Sequence, residues 1–229
     1  MHNSFLARNP ALYTFIARFR KHVNYEKLLY LSKIKKGHTV LDIGANQGYY
    51  TSLFSILTGN KGQVHAFEPV PESFSKLKKL RDGFNNVTIN HCAIGKKSGS
   101  AIISYDPNDS EKASVLNVPK LNPNKFKTIV RTIDEYVSDK GLTEVNFIKC
   151  DVEGFELEVL TGAYQSLSKY KPAISIEMTL NENETKQSIQ LLKKAGYKKF
   201  IQVEKGFPCF EEQNYNFNSM DYFYLYASC

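Results

Sequence analysis

Apolar and polar positions along this chain follow two rhythms, one of about 3.6 residues and one of two, and the switches between them mark its elements. Residues 4 to 36 set Phe5, Leu12, Phe15, Ile16, Phe19, Val23, Leu28, Leu29 and Leu31 among Arg8, Arg18, Arg20, Lys21 and Lys27. That spacing predicts one or two amphipathic helices, broken near Pro10 and His22. Val40-Leu41 then runs into Asp42 and a loop holding Gly44, Asn46 and Gly48, after which Tyr49 to Leu57 has helical spacing as far as Gly59. Gln63 to Phe67 reads as a strand that delivers Glu68, and Pro71 to Phe84 as a helix with Phe74, Leu77 and Leu80 facing inward. Val87 to Ala93 is a third strand and Gly95 to Gly99 a turn. Ser100 to Tyr105 alternates like a strand, Thr128 to Arg131 is a short one, and Asp106 to Asn124 between them lacks any period and reads as a long, lid-like loop. Thr132, with Glu135 three residues on, opens a helix to Lys140 through a capping box. Val145 to Cys150 is a strand ending at Asp151, Glu156 to Ser168 the next helix, and Ala173 to Met178 a strand with Glu177 near its end. Asn183 to Ala195 is a helix stopped by Gly196. Phe200 to Val203, Phe207 to Phe210 and Tyr222 to Tyr226 make a β-rich aromatic tail suited to a terminal antiparallel pair.

Strands alternating with helices predict an α/β fold: a mostly parallel, doubly wound sheet with helices on both faces and its ligand at the carboxyl ends of the strands. Residues 1–36 are expected to form an N-terminal helical cap on a domain spanning 37–229. The basic face of the cap would also suit peripheral contact with a membrane surface. A chain of 229 residues, 42% hydrophobic, is long enough for one large core. No run of about 18 apolar residues occurs, so a spanning helix is not expected. The start, MHNSFLARNP, lacks the apolar core and cleavage site of a secretory signal. Cys92, Cys150, Cys209 and Cys229 stand far apart with no CxxC pair, which points to reduced thiols and a cytoplasmic location. The formal net charge of +7 would suit a polyanion. Its basic residues, however, are spread over 33–36, 76–81, 96–97 and 193–199, as on solvated helix faces, so nucleic acid is not a required partner.

Four main strand ends each carry a carboxylate: Asp42, Glu68, Asp151 and Glu177. The loop after Asp42 does not have GxGxxG spacing, because Gly44 and Gly48 lie four apart with Asn46 between them, nor the GxxxxGK of a phosphate loop. A ligand surrounded by acids is cationic or rich in hydroxyls. S-adenosylmethionine meets both conditions, with a sulfonium, an amino group, a ribose diol and no phosphate. Glu68, one βαβ unit beyond the loop, is placed to accept hydrogen bonds from both ribose hydroxyls.

The stretches VLDIGANQGYYT, HAFEPVPESF and FIKCDVEGFELEVLTGA, in that order between Thr39 and Phe200, resemble the FkbM family of S-adenosylmethionine-dependent methyltransferases. The run from Asp151 to Glu156 is the most diagnostic. The resemblance implies a Rossmann-like methyltransferase fold with a seven-stranded sheet, and O-methylation of hydroxyls on sugars or polyketide-type natural products. It implies that Asp42, Gly44, Asn46 and Gly48 surround the methionine moiety, with Thr51 closing the same motif, that Glu68 takes the ribose, and that Cys92 and Ala93 face the adenine. Where relatives commonly carry a small or polar residue, this chain has Cys92.

Methyl transfer to an alcohol requires an in-line approach and the loss of a proton. Strand-end placement makes Asp151 the residue that positions cofactor and acceptor, and Glu153 or Glu177 the proton acceptor; Glu153 could instead cap the next helix. Glu156 and Glu158 read as ordinary first-turn acids. Asp151, Glu153 and Glu177 could offer hard oxygen ligands to Mg²⁺, but with no histidine or tight motif beside them a metal is not expected. Two rival functions stay open: a nucleic-acid methyltransferase and a non-catalytic S-adenosylmethionine-binding module. Against the first, Asp151-Val152-Glu153-Gly154 stands where base-amine enzymes carry Asn/Asp-Pro-Pro-aromatic; against the second, every motif is kept. The identity of the acceptor, a small molecule or glycan, has no signature, although Tyr215, Phe217 and Tyr222 would suit either sugar stacking or packing. Oligomeric state is equally silent.

Overall fold

The computed structural model describes residues 24–106, 109–114, 124–179, 181–203 and 222–229. The first part of the expected cap, most of the expected lid, and Phe207 to Phe210 therefore lie outside the described residues. The chain order is α1 (Tyr25–Lys33), β1 (Thr39–Ile43), α2 (Tyr49–Thr58), β2 (Gln63–Phe67), α3 (Pro71–Arg81), β3 (Val87–Asn90), β4 (Ala93–Ile94), β5 (Gly99–Asp106), β6 (Asp109–Ser114) and β7 (Asn124–Arg131). It continues with α4 (Ile133–Asp139), β8 (Phe147–Cys150), α5 (Glu156–Thr161), α6 (Tyr164–Tyr170), β9 (Ala173–Thr179), α7 (Glu182–Lys194), β10 (Lys199–Gln202) and β11 (Tyr222–Ser228).

Seven strands form the main sheet in the order β10-β11-β9-β8-β1-β2-β3, and β11 runs against its neighbours. The expected terminal antiparallel pair is thus β10 with β11. Because β1 and β8 are central, both of their faces are covered, and every residue of each is buried. Val40, Val64 and Phe147 meet Leu29, Tyr30 and Phe54 of α1 and α2 on one face. Leu41, Ile43, Phe67 and Ile148 meet Val159, Leu160, Leu167 and Leu192 of α5, α6 and α7 on the other. The helix α1 starts where Asn24 accepts from the Lys27 amide at 2.7 Å. Its Leu29 and Tyr30 are fully buried, so this helix is part of the core.

Three expectations are corrected. The strand Val87 to Ala93 divides: β3 stays in the main sheet, while Ala93-Ile94 leaves it to pair with Val130-Arg131. That pairing builds a second sheet, in the order β4-β7-β5-β6, which single-strand periodicity did not announce. Within the expected lid, 109–114 is the strand β6, paired antiparallel to β5. Finally, the helix expected over Glu156 to Ser168 breaks at Gly162-Ala163. A Cβ on Gly162 would overlap the Gly95 carbonyl, and Asp134, from another helix, takes the amides of Gln165 and Ser166 at 3.0 and 2.7 Å. Those amides begin α6, so a capping acid from outside starts a new helix there.

The capping box of α4 is half-formed. Thr132 accepts from the Glu135 amide at 3.1 Å, but Glu135 bonds the Ser98 hydroxyl, which in turn accepts from the Thr132 amide at 3.3 Å. A third residue relays the reciprocal bond. Among the described residues, no helix is long and apolar enough to cross a membrane.

Candidate active site

Asp42 of β1 and Lys149 of β8 are register partners, so their side chains leave the same face of the sheet. Asp42 is fully buried; its Oδ2 accepts from Thr51 Oγ1 at 2.6 Å, and its Oδ1 has no hydrogen-bond partner and lies 4.0 Å from Lys149 Nζ. Lys149 is buried too. Its ammonium donates to Asp151 Oδ2 at 3.0 Å and to the Gly44 carbonyl at 3.4 Å, and sits 5.6 Å from the centre of the Tyr50 ring. Burial works against this charge, but attraction to Asp151 and Asp42 outweighs it and raises the pKa of Lys149. Behind the pocket, Tyr50 donates to Glu26 Oε2 at 2.7 Å and Tyr30 donates to the other oxygen of that carboxylate. Burial raises the pKa of Glu26. A residue of α1 therefore fixes an aromatic wall of the site.

The loop after β1 is shaped by close approach. Gly44 has φ of 76°, and a Cβ there would overlap the carbonyl oxygen of Asp151. Asn46, with φ of 49°, donates its amide to Glu68 Oε2 at 2.8 Å, and its own Oδ1 is buried without a partner. Glu68 Oε1 accepts from the Val70 amide at 2.8 Å. Burial pushes the Glu68 carboxyl up to about 7, against the lowering effect of those two amides.

These residues line one cavity of about 650 Å³, in the range of small-molecule sites. Asp42, Gly44, Asn46, Glu68, Cys92, Ala93, Asp151, Glu153 and Glu177 all contribute to its wall. Gly48 and Thr51 do not. Gly48 begins α2, where a Cβ would crowd Leu77 of α3, and Thr51 braces Asp42 from behind. At the Cys92-Ala93 end, burial pushes the Cys92 thiol up to about 11, which keeps that wall neutral. Ile103 reaches the cavity from the second sheet, which is tied to α3 by a 2.6 Å bond from Tyr105 to Glu72.

At the opposite end, Asp151, Glu153 and Glu177 bring carboxyl oxygens within 4.8 Å of one another. Burial first, then the negative charge of Asp151 and a hydrogen bond to it, lift Glu177 to about 9. At neutral pH Glu177 therefore keeps its proton and shares it with Asp151. A metal ion could use these oxygens, yet the chain already supplies a proton and an ammonium to neutralise them. Glu156 is not a plain first-turn acid. Its Oε1 accepts from the amides of Val152 and Gly154 at 3.1 and 3.2 Å and closes the turn in which Glu153 and Gly154 adopt φ of 57° and 91°. Glu158, by contrast, is a surface acid paired with Lys96 at 2.9 Å. The sequence reading missed Lys149, Glu26 and Tyr50. A lysine inside the buried run FIKC, beside an aspartate, is the signal that could have found the first.

These shifts set how stability depends on pH. Glu68, Glu156 and Glu177 bind their protons more tightly when folded, with values of about 7, about 7 and about 9 against 4.5. Their contribution is complete below pH 4.5 and is lost as pH rises through 7 and then 9. His65, buried beside Tyr136 at 2.8 Å, is lowered by burial from 6.5 to about 4, so its contribution is complete above 6.5 and lost as pH falls toward 4. Between pH 4.5 and 6.5 the three carboxyls outweigh the one imidazole, so the melting temperature is expected to fall as pH rises from about 4.5 to 9. Glu177→Gln should flatten the alkaline limb. Parallel melting curves for that variant and the wild type between pH 7 and 9 would refute the assignment.

Part of the cavity wall carries acceptors that the chain itself leaves unsatisfied. The partnerless Asp42 Oδ1 and Asn46 Oδ1, the Glu68 carboxylate and the bare Cα of Gly44 fit a ligand that brings an ammonium, ribose hydroxyls and a sulfonium. Residues 42–199 match the family described as the methyltransferase FkbM domain. A hexuronic acid methyltransferase of Haloferax volcanii is 32% identical over 139 residues, which are 61% of this chain and 55% of that protein. The 2-O-methyltransferase NoeI of Sinorhizobium fredii is 24% identical over 59% of this chain and 61% of its own length. The chain thus spans less than two thirds of either relative. A crystal structure of a methyltransferase FkbM from Methylobacillus flagellatus superposes with a TM-score of 0.54 over 98% of this chain and 60% of that one, at 17% identity, a likeness of fold.

Proposed function

This chain belongs to the methyltransferase FkbM domain family, and from that membership we propose that it transfers the methyl group of S-adenosylmethionine to a hydroxyl of a sugar or a small natural product. The observation that carries the reading is the pair of partnerless acceptors Asp42 Oδ1 and Asn46 Oδ1 beside the Glu68 carboxyl, which supports a cationic, hydroxyl-bearing donor. The names of the Haloferax and Sinorhizobium relatives, a hexuronic acid enzyme and a 2-O-methyltransferase, support a hydroxyl on a sugar as the acceptor.

In this reading Glu68 holds the ribose, Asn46 and Asp42 the methionine end, and Cys92 with Ala93 the adenine. When bound, S-adenosylmethionine supplies an electrophilic methyl group on sulfur. Lys149 and the protonated Glu177 lock Asp151 in place from two sides, and Asp151 then orients the incoming hydroxyl. Glu153, on the turn that follows β8, takes the proton released by that hydroxyl. A nucleic-acid acceptor gains no support from this wall, because the acids at the β8 and β9 ends would repel phosphates.

Calorimetric titration with S-adenosylmethionine tests the cofactor assignment. Glu68→Gln should weaken binding about 10–100-fold, since a hydrogen bond to a charged group contributes about 1.5–3 kcal/mol. Because the Glu68 carboxyl sits near 7, wild-type affinity should rise between pH 6 and 8 as it ionises, and that rise should vanish in the variant. An unchanged affinity in Glu68→Gln would remove the ribose role.

A further inference from the structure

S-adenosylmethionine brings one group that Asp42, Asn46 and Glu68 do not answer. Those residues suit its sulfonium, ammonium and ribose diol, but its amino-acid end also carries a carboxylate. A carboxylate leaves water at a high cost unless a cation or several donors receive it. Among the described residues lining the cavity, Lys149 is the one basic side chain.

Lys149 is placed for that task. It leaves β8 on the face that Asp42 shares, and its ammonium has three hydrogens to donate. Asp151 Oδ2 and the Gly44 carbonyl take two of them, at 3.0 and 3.4 Å. Asp42 Oδ1, which has no hydrogen-bond partner, lies 4.0 Å from the same nitrogen. An α-amino acid carries its ammonium and its carboxylate on one carbon. A partnerless carboxylate oxygen beside an ammonium with a hydrogen to spare matches that head group charge for charge.

A second feature points to an anion at the same place. The helix α2 starts at Gly48 with no side-chain capping bond and with no acid in its first turn. The first amides of a helix lack carbonyl partners within it and form the positive end of its dipole. Gln47, Tyr49 and Tyr50, around that start, all line the cavity, and the Tyr50 ring centre is 5.6 Å from the Lys149 ammonium. The helix start and the lysine together give this part of the wall a positive face.

Resting on the methyl-donor reading, we propose that Lys149 binds the donor directly: its ammonium, beside the uncapped start of α2, takes the carboxylate of S-adenosylmethionine, while Asp42 Oδ1 takes the neighbouring ammonium. The same lysine holds Asp151, the residue that orients the acceptor. Donor and acceptor thereby share one anchor, and the register of β1 against β8 sets the distance between them.

The probe is decarboxylated S-adenosylmethionine, which keeps the sulfonium, the ammonium and the nucleoside and lacks only the carboxylate. In calorimetric titrations the wild type should bind S-adenosylmethionine about 10–100-fold more tightly than this analogue, the range of a hydrogen bond to a charged group. Lys149→Gln should erase most of that preference by losing affinity for the natural donor, while the analogue binds about as before. A variant that merely loosened the fold would weaken both ligands alike, and that pattern counts against the assignment. Equal binding of the two ligands by the wild type, or a full preference kept in Lys149→Gln, overturns it and leaves the donor reading standing. Binding of neither ligand to the wild type overturns the donor reading itself. If Lys149→Gln does not fold, a crystal structure of the wild type with S-adenosylhomocysteine decides: a carboxylate oxygen within about 4 Å of Lys149 Nζ upholds the assignment, and a greater separation overturns it.

Discussion

Glu153→Gln is expected to lower kcat by about 10²–10⁴-fold, the usual contribution of a positioned general base, while S-adenosylmethionine affinity stays at its wild-type value. The geometry separates Glu153 from its neighbours. Asp151 is committed to the buried Lys149 ammonium, and Glu177 already carries a proton at neutral pH, with its carboxyl pushed up to about 9. Glu153 is held with φ of 57°, a conformation that costs a residue with a side chain about 1–2 kcal/mol. That cost is met by the turn around it, since Glu156 ties the amides on either side. Glu177→Gln should lose far less, because an amide replaces a group that already donates. Single-turnover formation of S-adenosylhomocysteine would rank the two variants, and a larger loss in Glu177→Gln would move the proton transfer to that residue.

Gly44→Ala should damage both the fold and the donor site. The new methyl would have to occupy the space of the Asp151 carbonyl oxygen while the backbone held φ of 76°. Left-handed strain of about 1–2 kcal/mol and overpacking of about 1–3 kcal/mol together predict a loss of about 2–5 kcal/mol. At roughly 2–4 °C per kcal/mol in a chain of this size, the shift is readily measured by thermal unfolding. Relief requires β1 and β8 to part at their carboxyl ends, which would also carry Lys149 and Asp151 away from Asp42 and the Gly44 carbonyl. An alanine variant with wild-type melting temperature and cofactor affinity would show that the two strand ends do not need this contact.

Much of this arrangement was legible from residue patterns, and the failures have physical causes. β1, β2, β8 and β9 are short apolar runs ending in acids, and burial on both faces makes such runs easy to see. The loop from Gly44 to Gly48 was readable because only close backbone approach asks for that glycine pattern. The second sheet was not. β4 is two residues long and pairs with β7 far along the chain, Ala93 with Val130 and Ile94 with Arg131, and the DSEKAS sequence of β6 has no alternation to read. The break at Gly162 was hidden because the contact that demands it, with Gly95, lies far off in sequence. Proton sharing between Asp151 and Glu177 depends on the spacing of two neighbouring strands and on burial, quantities that strand periodicity does not encode.

The helix α1 has a consequence for how the protein is dissected. The family match begins at Asp42, inside β1, whereas Leu29 and Tyr30 cover Phe54 and Phe147, and Glu26 holds Tyr50. A fragment cut at the start of the match would keep the glycine loop and the later motifs, yet lose the start of β1 and strip a face of the sheet to water, leaving the Tyr50 phenol without its acceptor. The matched stretch is thus a unit of recognition and not a unit of folding. In the same way, substitutions in a segment that carries none of the motifs can retune the pocket through one tyrosine.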